Sequence, residues 1–219
     1  MNVGAKEKGA RPARAGSIVI VSAPSGSGKS TLIRRLRASD PALQFSISYT
    51  TRPPRPGERN GREYFFVSAA RFRKMAASGQ FAEWAQVYGH FYGTLKRQLH
   101  AAQAQGKDLL LDIDVQGHRQ VRRRVPDAVS VFLLPPSYQE LERRLRRRHS
   151  DAPEAIARRL AIARRELGHW HEYDYLVVND RLPEAVRALR AIVMATRFRR
   201  TAQRVVAQGI TKTFGGKKA

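Results

Sequence analysis

Four short stretches of the chain, 17–22, 109–111, 129–134 and 175–178, are apolar almost without interruption, and their neighbours include Gly, Asp and Pro. Runs of this length predict buried strands. Between them the apolar positions recur at helical spacing. A helix from about 29 to 38 turns Leu32, Ile33 and Leu36 inward and stops before Asp40-Pro41. Ser68 caps a helix that runs to about 78 and is ended by Gly79. Further helices are expected over 94–105, 116–124, 137–168 with a break near 149–153, and from 183 to about 206. Two other stretches, 45–49 and 81–94, alternate, and with 63–67 they predict a second, smaller sheet. On such a strand Glu83 lies on the opposite face from Trp84. The order is that of one α/β domain with a small insertion, which 219 residues can supply with a real core.

Composition narrows the setting. The absence of cysteine removes disulfides and thiolate metal sites, as fits a reducing compartment. The six histidines show no metal-ligand spacing; His169 and His171 flank Trp170 at a separation that points them apart on a helix. Forty-one Lys and Arg against 18 Asp and Glu give a net charge of +23. That excess attracts polyanions of any kind, so nucleotides, RNA, DNA and acidic membranes all stay open on charge alone. Residues 1–16 are basic and rich in Gly, Ala and Pro and predict a mobile lead-in; 209–219 read as a basic tail. Neither a secretory signal nor a run of membrane-spanning length is present, so the expectation is a cytoplasmic protein with no membrane partner. Monomer and homo-oligomer are both compatible with the sequence.

The chemistry concentrates in a few places. Directly after the first strand comes Ala23-Pro24-Ser25-Gly26-Ser27-Gly28-Lys29-Ser30-Thr31. A strand, a glycine-rich loop and a helix in that order aim backbone N–H groups and a helix N-terminus at one point, which suits polyphosphate. Lys29 would reach the β/γ-phosphates and the Ser30 hydroxyl would ligate Mg²⁺. The usual first glycine of this pattern is Ala23 here. Downstream, three prolines stiffen Thr50-Thr51-Arg52-Pro53-Pro54-Arg55-Pro56-Gly57-Glu58. A three-residue repeat would project Arg52 and Arg55 from one side, as a phosphate clamp or as an ordinary basic loop. The strand at 109–111 ends in Asp112-Ile113-Asp114, and two residues of spacing put both carboxylates on one face, Asp112 as the Mg²⁺ partner. The arginines at 143, 144, 146–148, 158, 159, 164 and 165 line the broken helical stretch, as a phosphate-covering lid or an RNA-contacting surface would require.

By Asp112-Ile113-Asp114-Val115-Gln116-Gly117 the sequence resembles the guanylate kinase family. The resemblance covers about 17–199 and rests on the phosphate loop, Thr50–Glu58, Glu63-Tyr64-Phe65-Phe66, Tyr92-Gly93-Thr94, Leu111–Asp114 and Val178-Asn179-Asp180, in the family's order. It implies a phosphate-loop NTPase fold, three-layer α/β/α, with a parallel core sheet (17–45, 95–137, 169–208), a small β-rich GMP-binding region (46–94) and a helical lid (138–168). It implies transfer of the ATP γ-phosphoryl group to GMP or dGMP with Mg²⁺. Carried over residue by residue, ATP would lie on 23–31 with Asn179 beside adenine. Arg52, Arg55, Tyr64 and Tyr92 would hold the GMP phosphate. Ser48, Glu83 and Thr94 would read guanine, with Asp114 also on the GMP side. Arg144, Arg148 and Arg159 would join Lys29, Arg52 and Arg55 around the transferred group. Glycines usually flank the arginine matched to Arg148, and here Arg147 and His149 stand there. Guanine's N1–H and N2–H can both donate to one carboxylate, whereas adenine would leave it unpaired, so Glu83 supplies discrimination. A related kinase with a sugar-phosphate acceptor would lack these readers, and a non-catalytic relative would lack Lys29; nucleic-acid contact remains a secondary expectation.

Overall fold

The computed structural model describes residues 14–147 and 153–215. In chain order the elements are β1 (Ile18–Ser22), α1 (Lys29–Ser39), β2 (Leu43–Phe45), β3 (Tyr49–Thr50), β4 (Phe65–Phe66) and α2 (Ala69–Ala77). There follow β5 (Phe81–Val87), β6 (His90–Leu95), α3 (Lys96–Ala104), β7 (Asp108–Asp112), α4 (Val115–Arg124) and β8 (Val129–Leu134). The chain continues through α5 (Tyr138–Arg146), α6 (Pro153–Leu167), β9 (Tyr175–Val178), α7 (Leu182–Thr196) and α8 (Arg200–Thr213).

Five strands pair in the order β2-β7-β1-β8-β9, all parallel. Both faces of such a sheet are covered by crossover helices, which is why its strands read as unbroken apolar runs. Val19, Val21, Leu110 and Val131 pack with Leu32 and Leu36 of α1 and Leu189 and Val193 of α7. Ile18, Ile20, Leu109 and Leu111 face the other way, onto Leu99 of α3 and Val121 of α4. The three-layer α/β/α expectation therefore holds. A second sheet, β4-β3-β6-β5, packs Tyr49, Phe81 and Leu95 against Phe72 and Met75 of α2. The helices α5 and α6 share a cluster of Leu141, Leu145, Ile156, Leu160 and Ala163.

Three boundaries differ from the sequence reading. The alternating stretch 45–49 is not one strand: Ser46 N–H still extends the core ladder to the Leu110 carbonyl, while Tyr49 already pairs in the small sheet. The last helix is two, because the chain leaves helical geometry at Arg199, and α8 then runs through Gly209 to Thr213 where a tail was expected. At the break the Arg197 guanidinium reaches Asp108 at 2.6 Å and Asp40 at 2.5 Å. The lead-in is fixed from residue 14: Arg14 forks onto both Asp108 oxygens at 2.7 Å, and Ala15 N–H donates to the Ala202 carbonyl. Asp108 is fully buried, and although burial alone would raise its carboxyl, the two arginines and the Ser17 N–H hold it below its ordinary range.

Candidate active site

Between β1 and α1 the loop turns on Gly26 and Gly28, with φ of 92° and 87°. These are left-handed conformations that a side chain resists. Neighbours also crowd both glycines. A Cβ on Gly26 would come within 2.9 Å of Leu145 of α5, and one on Gly28 within 2.5 Å of the Asn179 amide nitrogen. That nitrogen donates to the Ser27 carbonyl at 2.7 Å. Asn179, which the resemblance set beside adenine, is thus buried against the loop itself. Ala23 packs on the core, Ser27 is buried, and Ser30 and Thr31 sit exposed in the first turn of α1.

Lys29 Nζ lies 2.6 Å from Asp112 Oδ1 at the carboxyl end of the neighbouring strand β7. Burial alone would lower the Lys29 pKa, but Asp112, with Glu166 and Asp114 nearby, outweighs it and the net shift is upward. Glu166, on α6, is pushed up to about 7 by burial and by Asp114, against the pull of Lys29. Asp114 departs from its expected place beside Asp112 on a strand. The strand ends at Asp112, and Asp114 caps α4 by accepting from Gly117 N–H at 2.8 Å.

On the small sheet, register brings three polar side chains together. Glu83 and Thr94 are cross-strand partners, and Ser48 Oγ lies 3.4 Å from Thr94 Oγ1, all three at most 9% exposed. Burial pushes the Glu83 carboxyl up to about 7, against a hydrogen bond from Thr94. Nearby, the Tyr64 and Tyr92 rings meet edge to face with centroids 5.8 Å apart, and the Arg52 guanidinium lies 5.5 Å above Tyr64. Burial raises the Tyr64 hydroxyl, and the negative charge of Asp112 adds to it, so this cluster lies within the field of the phosphate-loop side. Glu58 accepts from Arg52 at 2.8 and 2.9 Å and also takes the Arg55 backbone N–H at 2.8 Å. The expected proline-rich repeat ends there: Gly57, at φ 83°, makes a turn closed by Glu58 N–H to the Arg55 carbonyl, and the Arg55 side chain is exposed.

Of the arginines expected on a lid, Arg144 hydrogen-bonds Glu140 at 2.7 Å and the Asn179 carbonyl at 3.1 Å, so it reaches the loop's support. Arg159 stacks 5.9 Å over the Tyr88 ring, and Arg148 lies outside the described residues. Tyr88, at the β5–β6 turn with φ 49°, has its hydroxyl raised by burial and by Glu166, against the opposing influence of Ser25 of the phosphate loop and of Arg159. Tyr88 is not singled out by the sequence pattern, because it faces residues of other segments; Glu58 closes the Thr50–Glu58 stretch, but nothing in the pattern marks it as the partner of Arg52. Gln120 and Arg124 of α4, which hydrogen-bond the β5 backbone on either side of Glu83, escape it because their partners lie 36 and 42 residues away.

A lysine-bearing loop with two left-handed glycines, opening a helix at the carboxyl edge of a parallel sheet, defines a phosphate-loop nucleotide-binding protein. The family model described as "Guanylate kinase" matches residues 15–196. A guanylate kinase of Koribacter versatilis is 54% identical over 193 residues, covering 87% of this chain and 83% of that protein. One of Dechloromonas aromatica is 52% identical over 190 residues, covering 87% and 94%. The crystal structure of guanylate kinase from Anaplasma phagocytophilum superposes with a TM-score of 0.77 at 30% identity, covering 93% of this chain and 98% of that one. The chain belongs to the guanylate kinase family.

Proposed function

We propose that this chain transfers the γ-phosphoryl group of ATP to GMP, or dGMP, to give ADP and GDP, a step that returns GMP to the guanine nucleotide supply. The supporting observation is the buried Ser48, Glu83 and Thr94 set beside Arg52, Tyr64 and Tyr92, on a sheet whose Tyr64 feels the charge of Asp112. In this reading the loop 23–31 cradles the ATP phosphates through its N–H groups and Lys29. Arg52, Tyr64 and Tyr92, with Arg55, hold the GMP phosphate; Arg52 first releases Glu58. The accepting phosphate oxygen is already ionised near neutral pH, so no strong base is needed, and alignment with charge neutralisation carries the rate. Arg144, Arg148 and Arg159 complete the neutralisation from the lid, taken as 138–168, and Asp114 and Asn179 orient the site through α4 and the loop.

Mg²⁺ fits the donors present. It is held by one or two protein oxygens plus phosphates and water, and Ser30 with Asp112 supplies that number. Among the described residues no group of three or more His, Cys, Asp or Glu could cage a metal unaided, consistent with an ion that arrives with ATP. When bound it would neutralise phosphate charge. Among the described residues no helix is long and apolar enough to cross a membrane, and we place the activity in the cytoplasm. A coupled ADP-release assay with ATP and GMP, dGMP, AMP, UMP, CMP or dTMP is expected to favour GMP and dGMP; preference for any other acceptor would refute the assignment. Affinity of the basic surface for RNA is a secondary reading, and no filter retention of RNA at moderate salt would remove it.

A further inference from the structure

We propose that one stripe of α4, formed by Gly117, Gln120 and Arg124, positions the Glu83 carboxylate and thereby sets discrimination among purine bases. The inference rests on the reading of Glu83 as acceptor for guanine N1–H and N2–H. The three residues stand three and four positions apart, on one side of the helix. Gln120 holds Trp84 twice, accepting from its N–H at 3.2 Å and donating to its carbonyl at 2.7 Å. Arg124 donates to the Ala82 carbonyl. The backbone on both sides of Glu83 is therefore gripped by side chains from the core layer. This happens where the β5–β6 ladder shifts register, between Phe81 and Glu83, so the ladder alone does not fix that segment.

Gly117 accounts for the carboxylate itself. Its backbone is helical without a positive φ, and at such a position alanine is the better helix former. A Cβ there would lie 2.6 Å from Glu83 Oε2 and 3.2 Å from its Cδ. The space a side chain would occupy is filled by the Glu83 carboxylate, so Gly117 is a positioning residue for the base reader. Asp114, which caps α4, stands two residues beyond Asp112, so the helix that packs on Glu83 follows directly from the strand that carries the Lys29 partner.

The test compares Gly117→Ala, Gln120→Ala and Glu83→Ala with the parent, using GMP and inosine monophosphate, which keeps N1–H and O6 but lacks the 2-amine. For Gly117→Ala the KM for GMP should rise about tenfold, the scale of one hydrogen bond to a charged group, and the GMP to IMP ratio of kcat/KM should fall. The KM for ATP and the melting temperature should hold, or the latter rise, since alanine favours the helix. Gln120→Ala should shift the same ratio, which keeps the test alive if Gly117→Ala folds poorly. Unchanged GMP KM and base ratio in both variants, with Glu83→Ala losing the preference, would overturn the role of α4 alone. An unchanged preference in Glu83→Ala would instead overturn the reading of Glu83, and the inference with it.

Discussion

The Lys29 ammonium and the Asp112 carboxylate face each other at 2.6 Å across the gap between α1 and β7, each about a fifth exposed. In the free protein each neutralises the other, and ATP with its metal would separate them. Lys29→Ala is expected to lower kcat at least about a hundredfold, as loss of one preorganised charge-stabilising donor does, with the circular dichroism of the fold preserved. Steady-state kinetics that left turnover within tenfold of the parent would contradict this.

Glu83 predicts a pH signature. Its folded pKa, about 7, stands above the ordinary 4.5, so the native state keeps a proton that the unfolded chain releases. Its contribution is complete below about pH 4.5 and is lost as pH rises through 7; the buried charge then costs on the order of 3 kcal/mol. Glu83→Gln should therefore unfold at higher temperature than the parent at pH 8, with the gap closing toward pH 4.5. Parallel stability curves for the two proteins across that range would show that the carboxyl is not held in this way.

Arg52 Nη2 donates to both Glu58 carboxylate oxygens in the absence of substrate, and a phosphate can take the place of that carboxylate. Arg52→Ala should raise the KM for GMP roughly tenfold to a hundredfold, the range of charge-assisted hydrogen bonds, and change the KM for ATP little. Initial rates with each substrate varied in turn would check it.

Asn179 predicts an effect on the other nucleotide. Asn179→Leu removes the amide that holds the Ser27 carbonyl and sets a branched side chain against Gly28. The KM for ATP should rise several-fold or more and stability fall by about 1–3 kcal/mol, the cost of an orphaned buried group. Nucleotide titration and thermal melts read the two effects separately.

What was legible in the sequence is what local chemistry dictates. The phosphate loop is written in nine consecutive residues, and the parallel sheet shows in runs such as Ile18–Val21, since strands covered on both faces tolerate no polar alternation. Ser48, Glu83 and Thr94 came through resemblance, and the register does bring them together. Asp114 was misplaced because period-two reasoning assumes that the strand continues, and a carboxylate that caps a helix ends it. The split of the final helix is written in no Pro or Gly; it accompanies Arg197 contacts to residues 89 and 157 positions away. The grip of Gln120 and Arg124 on β5 spans 36 and 42 residues and is likewise invisible along the chain.

Asp108 stands at the start of β7 and takes up both Arg14, ahead of β1, and Arg197, where α7 gives way to α8. One carboxylate thus ties residue 14 and the α7–α8 junction together at the amino edge of the sheet, the edge opposite Lys29 and Asp112, so neutralising it would loosen both junctions at once.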